Sequence, residues 1–273
     1  GRFLAARHYG RKGETDKQEQ ILREILKRDE LNAEVYFTCL RELGLINELA
    51  ENFEEALKLY EVTNQQIIEY PQYLDLRMRS IFIHLELSNI DEATKTIEET
   101  RKIPKTKRDL YTSNDILDEF LLLNNDNGEL KKYWINSNQW WSHWLAFRKN
   151  NIPGKNLNHI RIPDVNKRLG FSNILSKDIE KKNKIEFFST LDLLLHGLRW
   201  SPSLLNESGP ALCFLLPQII PNKEKEIHNL ILSICKPISD KENQFNRRAK
   251  LYKSISYSSV KSHDEAIVTI RKF

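Results

Sequence analysis

Along the first hundred residues, apolar side chains recur every three or four positions, with polar and charged residues between them, the spacing that lines one face of an α-helix. Ile21, Leu22, Ile25 and Leu26 form one such stripe, and Leu40, Leu43, Phe53, Leu57 and Tyr60 form the next. A third runs through LDLRMRSIFIHLELSNIDEATKTIEETRKIP, from Leu74 to Pro104. The pattern predicts helix pairs: one around a turn near Gly13, one over Leu40 to Glu61 and one over Leu74 to Pro104, with Pro71 and Pro104 ending the second helices of the last two. Beyond Pro104, DILDEFLLLNN, GELKKYWINSN and QWWSHWLAFRKN read as three short helical stretches. NIPGKNLNHIRIP, Asn151 to Pro163, carries two prolines and a glycine and reads as a linker. After it, IEFFSTLDLLLHGLRW, ALCFLLPQII and KEIHNLILSICKP read as buried helices. Nine glycines and nine prolines in 273 residues fall below the usual combined share of about 12%, and so little punctuation favours an all-α fold.

The second helix pair carries a specific spacing. Leu43-Gly44 sits in its first helix, Ala56 follows Gly44 by twelve residues and Tyr60 follows Ala56 by four. Small residues at 44 and 56 let two antiparallel helices cross closely, and the acidic first turn in ELAENFEEA suits the positive end of the second helix. The segment Leu40 to Glu61 resembles a tetratricopeptide repeat. In the next unit, Ala93 lies thirty-seven residues after Ala56, and Ile90 and Ile97 match Phe53 and Tyr60, while Ile81 replaces the small residue of the first helix. This spacing is slightly longer than the family period of about 34. The pair around Gly13 reads as a degenerate first copy, and SHDEAIVTIRKF near the end resembles the start of a second helix, with Ala266 in the small-residue place.

The resemblance implies a right-handed α-solenoid of tetratricopeptide-like helical hairpins with a helical C-terminal region. The layout is then repeats over 1–105, a tryptophan-rich helical extension over 106–150, a linker over 151–170 and a C-terminal helical region over 171–273 that continues or caps the stack. It further implies that the first helices line a concave groove. That places Thr38, Arg41, Leu45 and Glu48, then Asp75, Met78, Phe82 and Leu85, as partner-binding residues. A clamp for the carboxylate tails of chaperones needs Lys and Asn at two of these places. This chain has Arg41 and Leu45, which argues against that ligand.

Composition narrows the chemistry. Forty-two basic and thirty-eight acidic residues leave a net charge of +4, a mild bias compared with a dedicated nucleic-acid module. Basic residues gather at Lys102, Lys105, Lys107 and Arg108, at Lys177, Lys181, Lys182 and Lys184, and at Arg247, Arg248, Lys250 and Lys253. Aligned along a solenoid they would make an RNA- or DNA-associated subunit the alternative function. Tyr133, Trp134, Trp140, Trp141, Trp144 and Phe147 are the densest aromatic stretch. Trp140, Trp144 and Phe147 share a helix face as core, and Trp141, about 100° away, is expected as an exposed contact residue. Cys39, Cys213 and Cys235, an odd and widely spaced set, suit a reducing compartment, so the chain is expected inside the cell, in cytoplasm or nucleus. It lacks an apolar run long enough for a membrane span or a signal sequence, and no membrane partner is expected. It opens on Gly1 and ends while a helical pattern is still running, so a piece of a longer protein is expected.

A peptidase of the caspase-like kind, some of which carry such repeats, would have to be built from His196 in LLLHG with Cys213 or Cys235, and ALCFLL embeds Cys213 in an apolar run. GxxxxGK and HExxH motifs do not occur. The sequence therefore predicts no catalysis, cofactor or metal. It predicts a protein-interaction scaffold or adaptor, a complex subunit that holds a protein or peptide segment.

Overall fold

The computed structural model describes residues 1–28, 30–62, 71–103, 113–125, 128–152, 183–239 and 245–272, and among these every regular element is helical. The chain divides into two compact units, Gly1–Leu117 and Asp118–Phe273. The first contains α1 (Arg2–Lys12), α2 (Thr15–Leu26), α3 (Ala33–Leu49), α4 (Phe53–Tyr60), α5 (Pro71–Glu86) and α6 (Ile90–Arg101). The division falls within α7 (Ser113–Asn124).

Three hairpins, α1/α2, α3/α4 and α5/α6, are closed by the same turn. One or two residues past the end of the first helix comes a residue in the left-handed region, Gly13 (φ 76°), Glu51 (φ 58°) or Ser88 (φ 60°). The next residue donates its N–H five residues back: Glu14 to the Tyr9 carbonyl at 3.0 Å, Asn52 to Asn47 at 2.9 Å and Asn89 to His84 at 2.7 Å. This satisfies carbonyls that a helix end would otherwise leave unpaired. Acidic residues then open each second helix, Asp16, Glu54 with Glu55, and Asp91 with Glu92, facing the positive end of the helix dipole.

The predicted crossing of α3 and α4 is present. Gly44, Ala56 and Tyr60 are buried, and a Cβ built on Gly44 would lie 2.1 Å from Cε1 of the Tyr60 ring. Only hydrogen fits there. Ala6, Leu22, Ile25, Cys39 and Leu43 form an apolar cluster that joins the first hairpin to the second. Pro71, expected to end a helix, instead opens α5. A first helical position wastes no hydrogen bond on a residue that lacks an N–H, and proline's fixed φ suits it.

The second unit is built on α8 (Glu129–Asn151), one continuous helix where two short ones were expected. Its middle, Asn136-Ser137-Asn138, looks like a break in sequence. The polar side chains find partners without leaving the helix: Ser137 Oγ donates to the Trp134 carbonyl at 2.8 Å, and Asn138 Oδ1 accepts from Arg199 Nη2 at 2.5 Å. Then come α9 (Lys184–Leu198), a 3-10 turn (Pro202–Leu204), α10 (Leu205–Pro210), a π segment (Ala211–Leu215) and α11 (Leu216–Ile219). In a continuing α-helix the Pro217 ring would meet the Cys213 carbonyl, and the chain takes the wider π turn just before it. The unit ends with α12 (Glu224–Ser239), α13 (Asn246–Ser259) and α14 (His263–Arg271). Here α12 packs on both α8 and α13, and α13 packs on α14. The tryptophan-rich helix thus shares one unit with the C-terminal helices.

The α13/α14 hairpin repeats the turn of the first unit. Lys261 has φ 65°, Ser262 donates to the Tyr257 carbonyl at 2.8 Å, and Asp264 and Glu265 open α14. Ala266 is buried, as expected from its place, and its carbonyl accepts from Ser254 Oγ at 3.2 Å. The linker region, apart from Asn151 and Ile152, lies outside the described residues, as do Pro104, Lys105, Lys107, Arg108, Lys177, Lys181 and Lys182.

Candidate partner-binding surface

The eight residues expected to line a groove lie on α3 and α5, which pack against each other. Asn32 caps α3 by accepting from the Glu34 N–H at 2.8 Å, and Thr38 Oγ1 donates to the Glu34 carbonyl at 2.7 Å. The charged members pair with one another. Arg41 Nε donates to Asp75 Oδ2 at 2.5 Å, Arg79 Nε lies 3.8 Å from the same oxygen, and Arg79 Nη1 donates to Glu48 Oε2 at 3.4 Å. Burial raises the Glu48 carboxyl above its ordinary range, and the Arg79 guanidinium works against that rise. Sequence spacing did not show Arg79, which ties Glu48 to Asp75 and so completes the network.

The apolar members are placed differently. Met78, Phe82 and Leu85 are buried in the first unit, and Leu45 is half-buried. Of the eight, Thr38, Arg41, Leu45, Glu48 and Asp75 are of intermediate exposure, and the side chain of Glu48 is itself enclosed whereas those of the paired Arg41 and Asp75 remain about one-third exposed. Two further pairs involve α5: Arg77 Nη2 donates to Glu99 at 2.5 Å, and His84 Nε2 lies 2.7 Å from Glu61 Oε1. The hydrogen bond to His84 holds the Glu61 carboxyl below its ordinary value.

In the second unit a cation sits in an aromatic setting. The Arg199 guanidinium carbon lies 4.9 Å from the Trp134 ring centre, 5.7 Å from that of Trp141 and 5.9 Å from that of Trp200, within cation–π reach of all three. His196 packs tilted against Trp141, with ring centres 5.3 Å apart, and its Nδ1 is 3.4 Å from Arg199 Nη1. Tyr133 donates its hydroxyl to the Leu198 carbonyl, and Ser201 donates to the buried Glu119 carboxylate. Trp141, expected to be an exposed contact residue, is 8% exposed. His196 of α9 and Arg199, which follows that helix, pack against it, so the face 100° from Trp140 is also covered. Trp140, Trp144 and Phe147 are core as expected.

A buried ion pair fastens α8 to α9. Arg148 Nε donates to Asp192 Oδ2 at 2.7 Å and Oδ1 at 2.8 Å, and Trp144 Nε1 donates to Oδ1 at 3.1 Å. Each partner is enclosed, so the carboxylate is held by hydrogen bonds that replace water.

His196, Cys213 and Cys235, the set a thiol peptidase would need, are buried, as is Cys39. Burial pushes the Cys39 thiol up to about 11, the Cys213 thiol up to about 12 and the Cys235 thiol higher still. Burial, with Arg199 nearby, pushes the His196 imidazole down to about 3, and its Nε2 has no hydrogen-bond partner among the described residues. Thiolates form where positive charge and solvent stabilise them, and these surroundings favour the neutral thiol. Among the described residues no group of three or more His, Cys, Asp or Glu side chains is placed to hold a metal ion, and no helix is long and apolar enough to cross a membrane.

Of the basic residues on α13, Arg247 and Arg248 are exposed, whereas Lys253 donates to Ser239 Oγ at 2.9 Å and Lys250 to the Lys272 carbonyl at 2.9 Å. Lys102 and Lys184 are exposed. No family model matches the sequence, and no curated protein or solved structure is significantly similar to it.

Proposed function

We propose that this chain is a tetratricopeptide-like scaffold, a right-handed α-solenoid in its N-terminal part, that holds a segment of a protein partner and performs no chemistry of its own. The supporting observation is the hairpin turn that recurs four times in one register. Each copy has a left-handed residue, a following N–H bonded five residues back, an acidic first turn and a buried residue four places after that N–H donor: Gln18, Ala56, Ala93 and Ala266. Repeats of this kind stack because one hairpin cannot bury its apolar face alone. The proposed contact surface is Thr38, Arg41, Leu45 and Asp75, where partly exposed charge and one half-buried leucine adjoin. Its place of action is inside the cell, in cytoplasm or nucleus.

The reading is tested by placing a photocrosslinking phenylalanine analogue at Thr38 or Leu45 and, as a control, at the exposed Lys58 of α4. In lysate of the native cell, crosslinks to one discrete protein are expected from positions 38 and 45 and not from 58. Affinity for that protein should change little between about 50 and 200 mM salt. Binding to random single-stranded RNA that weakens steeply with salt, without a discrete protein crosslink, would replace the scaffold reading with a nucleic-acid one.

A further inference from the structure

In the first three hairpins the position eight residues after the one that follows the left-handed residue is Leu22, Tyr60 or Ile97, and each is fully buried. In the last hairpin it is Ile270, 53% exposed, and Ile267 and Val268 beside it on α14 are 47% and 51% exposed. Three large apolar side chains on a nine-residue helix thus face water.

The charges around them are ordered. Asp264, Ile267, Val268 and Arg271 are spaced by three, four and seven residues from the first, so they form one stripe along α14, turned away from the buried Ala266. The stripe runs acidic, apolar, apolar, basic. Glu265 and Lys272 flank it in the same order, and all four charged residues are exposed. Laid antiparallel on a copy of itself, such a stripe sets carboxylate against guanidinium at both ends and apolar against apolar in the middle. Laid parallel, it would set like charges side by side, which is costly.

We propose that α14 is a self-association surface, pairing antiparallel with α14 of a second copy of this chain about a two-fold axis. A two-fold contact uses the same patch on both subunits, so self-complementarity is what it requires. The stripe belongs to one helix and does not depend on the stacking of the N-terminal hairpins. Because the apolar area is small, the dimer is expected to be weak and reversible.

Sedimentation velocity over a concentration series tests this on the 273-residue chain. The wild type should pass from monomer to dimer as concentration rises. Val268→Glu should abolish the dimer, and Asp264→Arg or Arg271→Asp alone should weaken it at least about tenfold, since each places like charges together twice. A mixture of those two single variants should form a heterodimer, and the double variant D264R/R271D should recover the homodimer, because both restore opposite charges at each end. These side chains are exposed, so unchanged circular dichroism is expected to show that the variants fold. A photocrosslinker at Ile267 should link to α14 of a second copy. Monomer at every concentration, a dimer indifferent to all of these changes, or crosslinks from 267 only to another protein or to a region outside α14 would overturn the proposal.

Discussion

Tyr60 lies directly on the α-carbon of Gly44, with no room for the smallest side chain. Gly44→Ala is expected to destabilise the first unit by about 1–3 kcal/mol, because the methyl group overpacks a core whose ring is fully enclosed. Denaturant unfolding would measure it. In Gly44→Ala with Tyr60→Leu, the two costs should fall short of their sum, since the second change removes the obstacle to the first. Additive costs would mean that the glycine is required for another reason. His196 gives a second test at this scale. Its imidazole is neutral in the fold and protonates only near pH 3, whereas in the unfolded chain it protonates near 6.5. The unfolded state then binds more protons between those values, so this residue's stabilising contribution is full above about 6.5 and lost as pH falls, with a slope approaching about 1.4 kcal/mol per pH unit. Urea unfolding from pH 7 to 4 should show a flatter profile for His196→Gln than for the wild type.

Helices in this chain are fastened to one another by apolar packing and by ion pairs, and the pair between α8 and α9 is enclosed at both partners. Asp192→Ala leaves Arg148 enclosed without its carboxylate and is expected to cost about 3–5 kcal/mol. Replacing both by leucine and methionine should cost much less, and thermal melting of the two variants decides it. Element boundaries show how far the sequence could be read. The α3/α4 crossing was legible because two small residues at a fixed spacing leave few other readings, and the turn at Gly13 was legible from the glycine itself. The same turn at Glu51, Ser88 and Lys261 was hidden, since nothing in those residue types announces a left-handed backbone. Helix α8 was divided in sequence at Asn136-Ser137-Asn138 because such residues compete for backbone hydrogen bonds. The partner that lets Asn138 stay helical, Arg199, is sixty-one residues away.

At the scale of the molecule, helical content followed from periodicity, whereas exposure did not. Met78, Phe82 and Leu85 were placed on a groove by analogy with a repeat, and Trp141 on a free face by the geometry of one helix. Both readings treat an element by itself, and burial is decided by what packs against it from elsewhere in the chain. The distribution of one residue type across the two units has a spectroscopic consequence. The five tryptophans, at 134, 140, 141, 144 and 200, all fall within Asp118–Phe273. Indole emission is therefore a built-in reporter of the second unit alone, while far-ultraviolet dichroism sums the helices of both. On a denaturant series the two signals resolve the chain into separately read halves: Gly44→Ala should move part of the dichroism transition and leave the emission midpoint in place, whereas Asp192→Ala should move the emission midpoint.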